Sequence, residues 1–240
     1  MRIRELWIVN GKTSRRTEEL LRLAREKQIP VVRKKRETLS LFVPDTAHQG
    51  VVALSDGFRY ADLASVIRAS QEAPGRGLLV AADHITDEGN LGALIRTAAF
   101  FGAHGLILPK DRSAGVSPGV LKRAAGAVAR LPVVKAVNLG RVLDFLEKKG
   151  FWIVGASGDG PASVYRFDWR RDLVLVLGNE QRGMGRLIRR RCHEVVRVPS
   201  PGGVESLNVA VAGGVILSEI SRQREGGDGA RGHKGPDEGA

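Results

Sequence analysis

Cysteine is almost absent from this 240-residue chain: the single Cys192 rules out an intrachain disulfide, and with it the stapled scaffolds of small secreted proteins. Aromatic residues are scarce too, at 5% of the chain, so a stacking platform for bases is not expected and phosphate contacts should dominate any nucleic-acid binding. Long hydrophobic runs are missing. Leu173 to Leu177 and Val209 to Leu217 fall short of the roughly 20 residues of a membrane span. The opening MRIRELWIVNGK holds neither an apolar core of signal-peptide length nor a small-residue cleavage site. These absences together lead us to expect a soluble cytoplasmic protein with no membrane partner.

What the chain does have is positive charge and enough apolar residues for real cores. Lys and Arg number 38 against 26 Asp and Glu, a net charge of +12, with 42% hydrophobic content. A polyanionic partner follows if the charge is localised, and mere compositional bias if it is not. It is localised. From Lys12 to Arg36 there are ten basic residues and three acidic ones, and from Arg182 to Arg197 six arginines and one glutamate.

Apolar periodicity places a helix over 17–27, with short apolar runs at 6–9, 31–32 and 51–54, and the helix stops before Pro30. This reads as a small α/β unit over residues 1–70, followed by a Pro/Gly-containing linker, QEAPGRG, at 71–77. From residue 78 continuous apolar runs at 78–82, 105–108, 133–136, 151–156, 173–177 and 195–198 predict strands covered on both faces. Helices are expected between them at 91–101, 119–129, 139–149 and 186–191, with a last one over 207–222. The architecture expected for 78–224 is therefore α/β with a parallel sheet, and the Gly-rich, apolar-poor 225–240 reads as a disordered tail.

Common cofactor signatures are lacking. No G-x-x-x-x-G-K-[ST] occurs, the five histidines form no ligand-spaced cluster with Cys192, and no metal is expected. The stretch Gly155 to Gly160, GASGDG, has the wrong glycine spacing for a dinucleotide fingerprint, and Pro161 removes the helix start that would hold a pyrophosphate.

Ligands of such sheets bind beyond the carboxyl ends of the strands, and three strand-end segments concentrate polar and glycine residues. The first is DEGNLGALIRTAAFFG at 87–102, where Asn90 is placed to cap the helix and Arg96 lies on the same side less than two turns along. The second, LVLVLGNEQRGM at 173–184, ends in Gly178, Asn179 and Glu180. In the third, VVRVPSPGGVESLNVAVAGGVILSEI at 195–220, a Pro/Gly loop runs through Glu205, Ser206 and Asn208 into a helix rich in small residues. The glycine pair 213–214 requires something to pack closely against that helix.

In this order the segments resemble the motifs N-x-G-A-x-x-R-T-A, L-x-L-G-x-E-x-x-G-M and I-P-x-x-G-x-x-x-S-L-N-V-x-V-A of the SpoU/TrmH (SPOUT) family of RNA ribose 2'-O-methyltransferases. Lys110 to Ala114, KDRSA, and His48-Gln49-Gly50 resemble the branch that methylates a guanosine of large-subunit ribosomal RNA. The resemblance implies a trefoil-knotted C-terminal domain, S-adenosylmethionine as methyl donor, ribosomal RNA rather than DNA as substrate, and a homodimer. By the same resemblance residues 1–70 correspond to a small ribosomal-protein-like RNA-binding domain, here starting close to its first strand, without that family's glycine-led opening helix.

Carried over residue by residue, the resemblance assigns Gly178, Val198 and Leu207 to the donor, and Asn90, Arg96, Glu180, Ser206 and Asn208 to the catalytic and RNA-facing side. Cys192 and Met184 read as packing residues. The alternatives are methylation of a transfer RNA ribose, and a noncatalytic RNA-binding factor of ribosome assembly.

Overall fold

In the computed structural model, which describes residues 2–11, 14–43 and 48–228, strand β1 (Ile3–Val9) buries Leu6 and Ile8 on one face. They pack with Ala24 of α1 (Arg15–Glu26), whose start is capped by the Ser14 hydroxyl accepting from the Thr17 amide at 3.2 Å. β1 pairs in parallel with β2 (Val31–Lys34) and antiparallel with β3 (Val51–Ser55), and the short α2 (Arg36–Ser40) precedes β3. These elements form one compact unit, Met1–Arg59.

The second unit begins at Tyr60, not near residue 78. The reason is the apolar face of α3 (Leu63–Glu72): Val66 and Ile67 are buried in the larger core with Leu79, Ile107 and Val134, while Ala61 bridges to Val134. The expected boundary near 70 is thereby corrected. Residues 71–77 are the turn from that helix into the sheet rather than a linker between domains.

The second unit continues as β4 (Leu78–Asp83), α4 (Glu88–Phe100), β5 (Gly105–Pro109), α5 (Pro118–Ala124), β6 (Val133–Ala136) and α6 (Leu139–Lys148). Then come β7 (Trp152–Ala156), β8 (Ala162–Ser163), β9 (Leu173–Gly178), α7 (Arg186–Arg189), β10 (Glu194–Arg197) and α8 (Val209–Asp228). Seven strands form one sheet in the order β6-β5-β4-β9-β7-β10-β8, and every described pairing in it is parallel. All five leading residues of β9, Leu173 to Leu177, are buried, as continuous apolar strands between helical layers must be.

Several boundaries differ from expectation for local reasons. The helix expected over 119–129 breaks where Ala125 and Gly126 adopt left-handed φ values of 48° and 85°, and a 3-10 turn follows at 127–129. The glycines of GASGDG serve packing: a Cβ at Gly155 would meet Met184 Cε at 2.6 Å and Cys192 Sγ at 2.9 Å. The last helix runs on to Asp228, so the tail expected from 225 begins inside a helix, and its remainder, 229–240, lies outside the described residues. The glycine pair finds its neighbours within the chain, since a Cβ at Gly213 would lie 3.0 Å from Leu177 and 3.0 Å from Leu94.

Candidate functional site

Strands β4 and β9 lie side by side in register, so Asp83 and Gly178 end them together and the two following loops start next to each other. The loop after β9 folds back at once. Asn179 and Gly183 exchange two backbone hydrogen bonds of 3.0 and 2.8 Å, and the Asn179 carbonyl oxygen of the side chain accepts from the amides of Gln181 and Arg182. The fold-back demands glycine at 178, where a Cβ would sit 2.2 Å from the Met184 nitrogen.

The start of α4 differs from the sequence reading. Asp87, not Asn90, is the cap: its carboxylate accepts from the Asn90 backbone amide at 2.7 Å. This frees the Asn90 side chain, whose amide donates to Glu180 Oε1 at 2.7 Å. The second oxygen of Glu180 accepts from the Asn179 amide at 3.3 Å, and the same amide donates to the His84 carbonyl at 2.9 Å. Asn208 does cap the last helix, its side-chain oxygen accepting from Ala210 and Val211 amides at 3.0 and 3.3 Å. Its amide donates to the Asn90 side-chain oxygen at 2.7 Å. One residue from each of the three motifs is thus joined in a single chain of side-chain hydrogen bonds, Asn208 to Asn90 to Glu180.

Arg96 and Ser206 are not part of that chain. Six residues at 100° each put Arg96 about a third of a turn around α4 from Asn90, correcting the expectation that they share a side. Arg96 is exposed and makes no hydrogen bond or ion pair with the described residues, which leaves its whole guanidinium for a ligand. Ser206 lies in the exposed stretch 199–208, before α8.

That stretch and the end of β10 form the other wall. The bonds described within it are Gly203 amide to Ser200 carbonyl at 3.2 Å and Ser200 hydroxyl to Val204 carbonyl at 2.8 Å. Backbone groups at Val198 and Leu207 therefore remain for a ligand among the described residues. Leu207 is half exposed and Val204 more so, offering apolar surface beside bare backbone. This donor set, backbone amides and carbonyls with aliphatic cover, suits the adenosine part of S-adenosylmethionine.

Sequence reading missed two residues beneath the site. Asp83 is fully buried, and its carboxylate accepts from the Gly185 amide at 2.7 Å while its other oxygen lies 2.6 Å from His84 Nδ1. His84 itself has a left-handed φ of 60°, which holds the loop in place beside Asn179. An aspartate closing the apolar run 78–82 was the available signal. Cys192 behaves as the packing residue expected: burial pushes its thiol up to about 12.

The arginines at 182–197 divide. Arg189 donates to Asp159 at 2.8 Å, Arg191 to Asp144 at 2.7 Å and Arg197 to the Gly160 and Pro161 carbonyls, so half of the cluster serves the fold rather than a substrate. Arg182, Arg186 and Arg190 are exposed. Among the described residues no group of three or more His, Cys, Asp or Glu is arranged to hold a metal ion.

Comparison with known proteins bears directly on this arrangement. Residues 77–218 match the family model described as the SpoU rRNA Methylase family, and residues 1–61 the one described as RNA 2'-O ribose methyltransferase substrate binding. The 23S rRNA (guanosine-2'-O-)-methyltransferase RlmB of Xanthomonas campestris pv. campestris is 41% identical over 232 residues, spanning 93% of this chain and 90% of that protein. RlmB of Pseudomonas putida is 39% identical over 227 residues, with the same coverage. Among solved structures, the SpoU methyltransferase AviRb from Streptomyces viridochromogenes in complex with the cofactor AdoMet superposes with a TM-score of 0.78 at 30% identity, covering 94% of this chain and 84% of that one. An AdoMet-bound rRNA methyltransferase from Sinorhizobium meliloti superposes with a TM-score of 0.74 at 26% identity, covering 92% and 80%.

Proposed function

The chain belongs to the SpoU rRNA methylase family, and from that premise we propose that it transfers the methyl group of S-adenosylmethionine to the ribose 2'-hydroxyl of a guanosine in 23S ribosomal RNA. The observation that carries the reading is the hydrogen-bonded chain Asn208, Asn90, Glu180, which draws the three motifs together at the carboxyl ends of β4 and β9.

S-adenosylmethionine supplies an electrophilic methyl on a positive sulfur. Gly178, Val198 and Leu207 would hold it through backbone groups and aliphatic contact, the glycine because only a bare Cα permits the fold-back at 178–184. Asn90 and Asn208 hold the Glu180 carboxylate in one orientation beside the reacting centre. A ribose hydroxyl is a weak nucleophile until its proton leaves or its developing charge is stabilised. Arg96 meets the second need. A guanidinium is a cation with five donors and no acceptor, so this group binds the adjacent phosphate and stabilises the forming alkoxide while a phosphate oxygen or water takes the proton. Ser206 lies on the RNA-facing side of the same mouth.

The reading extends to a trefoil knot in the second unit, a homodimer and a cytoplasmic location. In support of a second copy, Phe100 at the end of α4 is 80% exposed and Val211 on α8 is 52% exposed, large apolar groups on two helices that pack together. The test of activity is incorporation of tritiated methyl into 23S rRNA transcripts, with Arg96→Ala as control. Incorporation by wild type and its loss in the variant are expected; absence of incorporation into any RNA overturns the assignment.

A further inference from the structure

The loop 164–172, which leaves β8 beside the end of β10 and returns to the start of β9, is lashed to the C-terminal half of α8. Gln223 accepts from the Trp169 backbone amide at 3.1 Å and donates to the Phe167 carbonyl at 3.0 Å, reading that backbone as a strand neighbour would. Trp169 is fully buried, its indole N–H donating to the Val164 carbonyl at 2.8 Å. Arg224 donates to the carbonyls of Arg171 and Arg76 at 2.8 Å each, and more weakly to those of Trp169 and Gly77. The loop is therefore held rigid.

Between this loop and α8 lies a cleft of about 410 Å³, lined by Tyr165, Arg166, Phe167, Asp168, Arg170, Arg222 and Gln223. Its acids are already occupied. Asp168 accepts from Arg170 Nε at 2.9 Å, and nearby Glu219 accepts from Arg222 Nε and Nη2 at 2.7 Å each; these guanidinium bonds hold both carboxyls below the usual carboxylate range. Each paired arginine keeps N–H donors to spare: both Nη groups of Arg170 and Nη1 of Arg222. Arg166 has no hydrogen bond or ion pair from its guanidinium to the described residues. Tyr165 is 55% exposed.

Three guanidinium groups with unused donors beside an exposed aromatic ring match a nucleotide, phosphate to arginine and base to ring. We propose that this cleft is a second RNA-binding site, taking an unpaired nucleotide of the substrate RNA with its phosphate on Arg166, Arg170 and Arg222 and its base on Tyr165. The proposal rests on the RNA methyltransferase reading and adds to it a contact remote from the chemistry. The Arg170 end of the loop adjoins the start of β9, whereas Gly178 and Glu180 stand at that strand's other end, six residues or about 20 Å away; the Tyr165 end follows β8, three strands from β9 in the sheet order. Occupation of the cleft strengthens binding of a large RNA and leaves the transfer step untouched.

The test uses the full chain and a 23S rRNA transcript, with Kd measured by filter binding across a salt series and transfer measured under single turnover at saturating RNA. Arg166→Glu is expected to weaken binding about tenfold and to lower the salt slope by about one phosphate contact. Tyr165→Ala is expected to weaken it roughly fivefold or more with an unchanged slope. In both variants the saturated rate should stay within about twofold of wild type. Wild-type affinity and slope in both variants overturn the cleft, as does weakened binding accompanied by a changed sedimentation mass, which makes it a contact between copies. The binding readout does not need turnover, so a wild type that binds RNA yet transfers no methyl contradicts the enzymatic reading alone.

Discussion

Asn208 donates its side-chain amide to the Asn90 side-chain oxygen at 2.7 Å across 118 residues of sequence, while its own oxygen caps α8. One side chain thus starts the last helix and, through Asn90, fixes the Glu180 carboxylate.

The two duties separate by substitution. Asn208→Ser keeps a capping oxygen but loses the amide donor, so thermal stability should stay close to wild type while single-turnover methyl transfer falls at least about tenfold. Asn208→Ala loses both and should also cost about 1 kcal/mol of stability in denaturant titration. Equal activity of Asn208→Ser and wild type would detach the amide link from catalysis.

Gly178→Ala places a methyl group 2.2 Å from the Met184 nitrogen, a backbone atom that cannot swing aside. The 179–184 loop must shift, and S-adenosylmethionine affinity by calorimetry should drop more than about tenfold, with a lowered melting temperature. Binding at wild-type strength would show that the loop does not hold the donor.

For Arg96 the electrostatic role predicts that Arg96→Lys keeps the pH at which the basic limb of the rate profile begins, at a rate reduced by about 10²-fold or more. A lysine acting as base in place of arginine would move that limb to lower pH with much of the rate retained, and this result would reject the alkoxide-stabilising role.

Cys192 offers a pH test of packing. Its thiol is raised to about 12, chiefly by burial, so the neutral form persists from neutral pH to well past the ordinary thiol range. Reaction with a disulfide reagent at pH 8 should be far slower in the native protein than in guanidinium, and should keep rising with pH past the ordinary thiol range without levelling off, because the thiolate remains the minor form there. Rapid native labelling at pH 8 would contradict the burial that produces the shift.

Much of this was legible in the sequence because parallel strands between helical layers are apolar throughout: 173–177, 105–108 and 133–136 read directly as strands, and the motifs at their ends directly as loops. What was not legible depended on contacts between distant residues. Asp87 and Asn90 are both acceptable caps by type, and only the pull of Glu180 on the Asn90 side chain decides between them. Residues 63–70 read as the end of the small unit because nothing local reveals that they form a helix whose Val66 and Ile67 pack beside Leu79 and Ile107. The arginines at 189, 191 and 197 counted as surface charge until Asp159, Asp144 and two carbonyls claimed them. Arg224 gave no periodic signal at all, yet it fastens the end of the last helix to the carbonyl preceding β4.

The central claim is ribose methylation of 23S rRNA, and the most direct test is a map of 2'-O-methylation across ribosomal and transfer RNA from cells with and without this protein. Loss of methylation at one guanosine of 23S rRNA is expected, restored by wild type and not by Arg96→Ala. An unchanged 23S map, or a loss confined to transfer RNA, would contradict it.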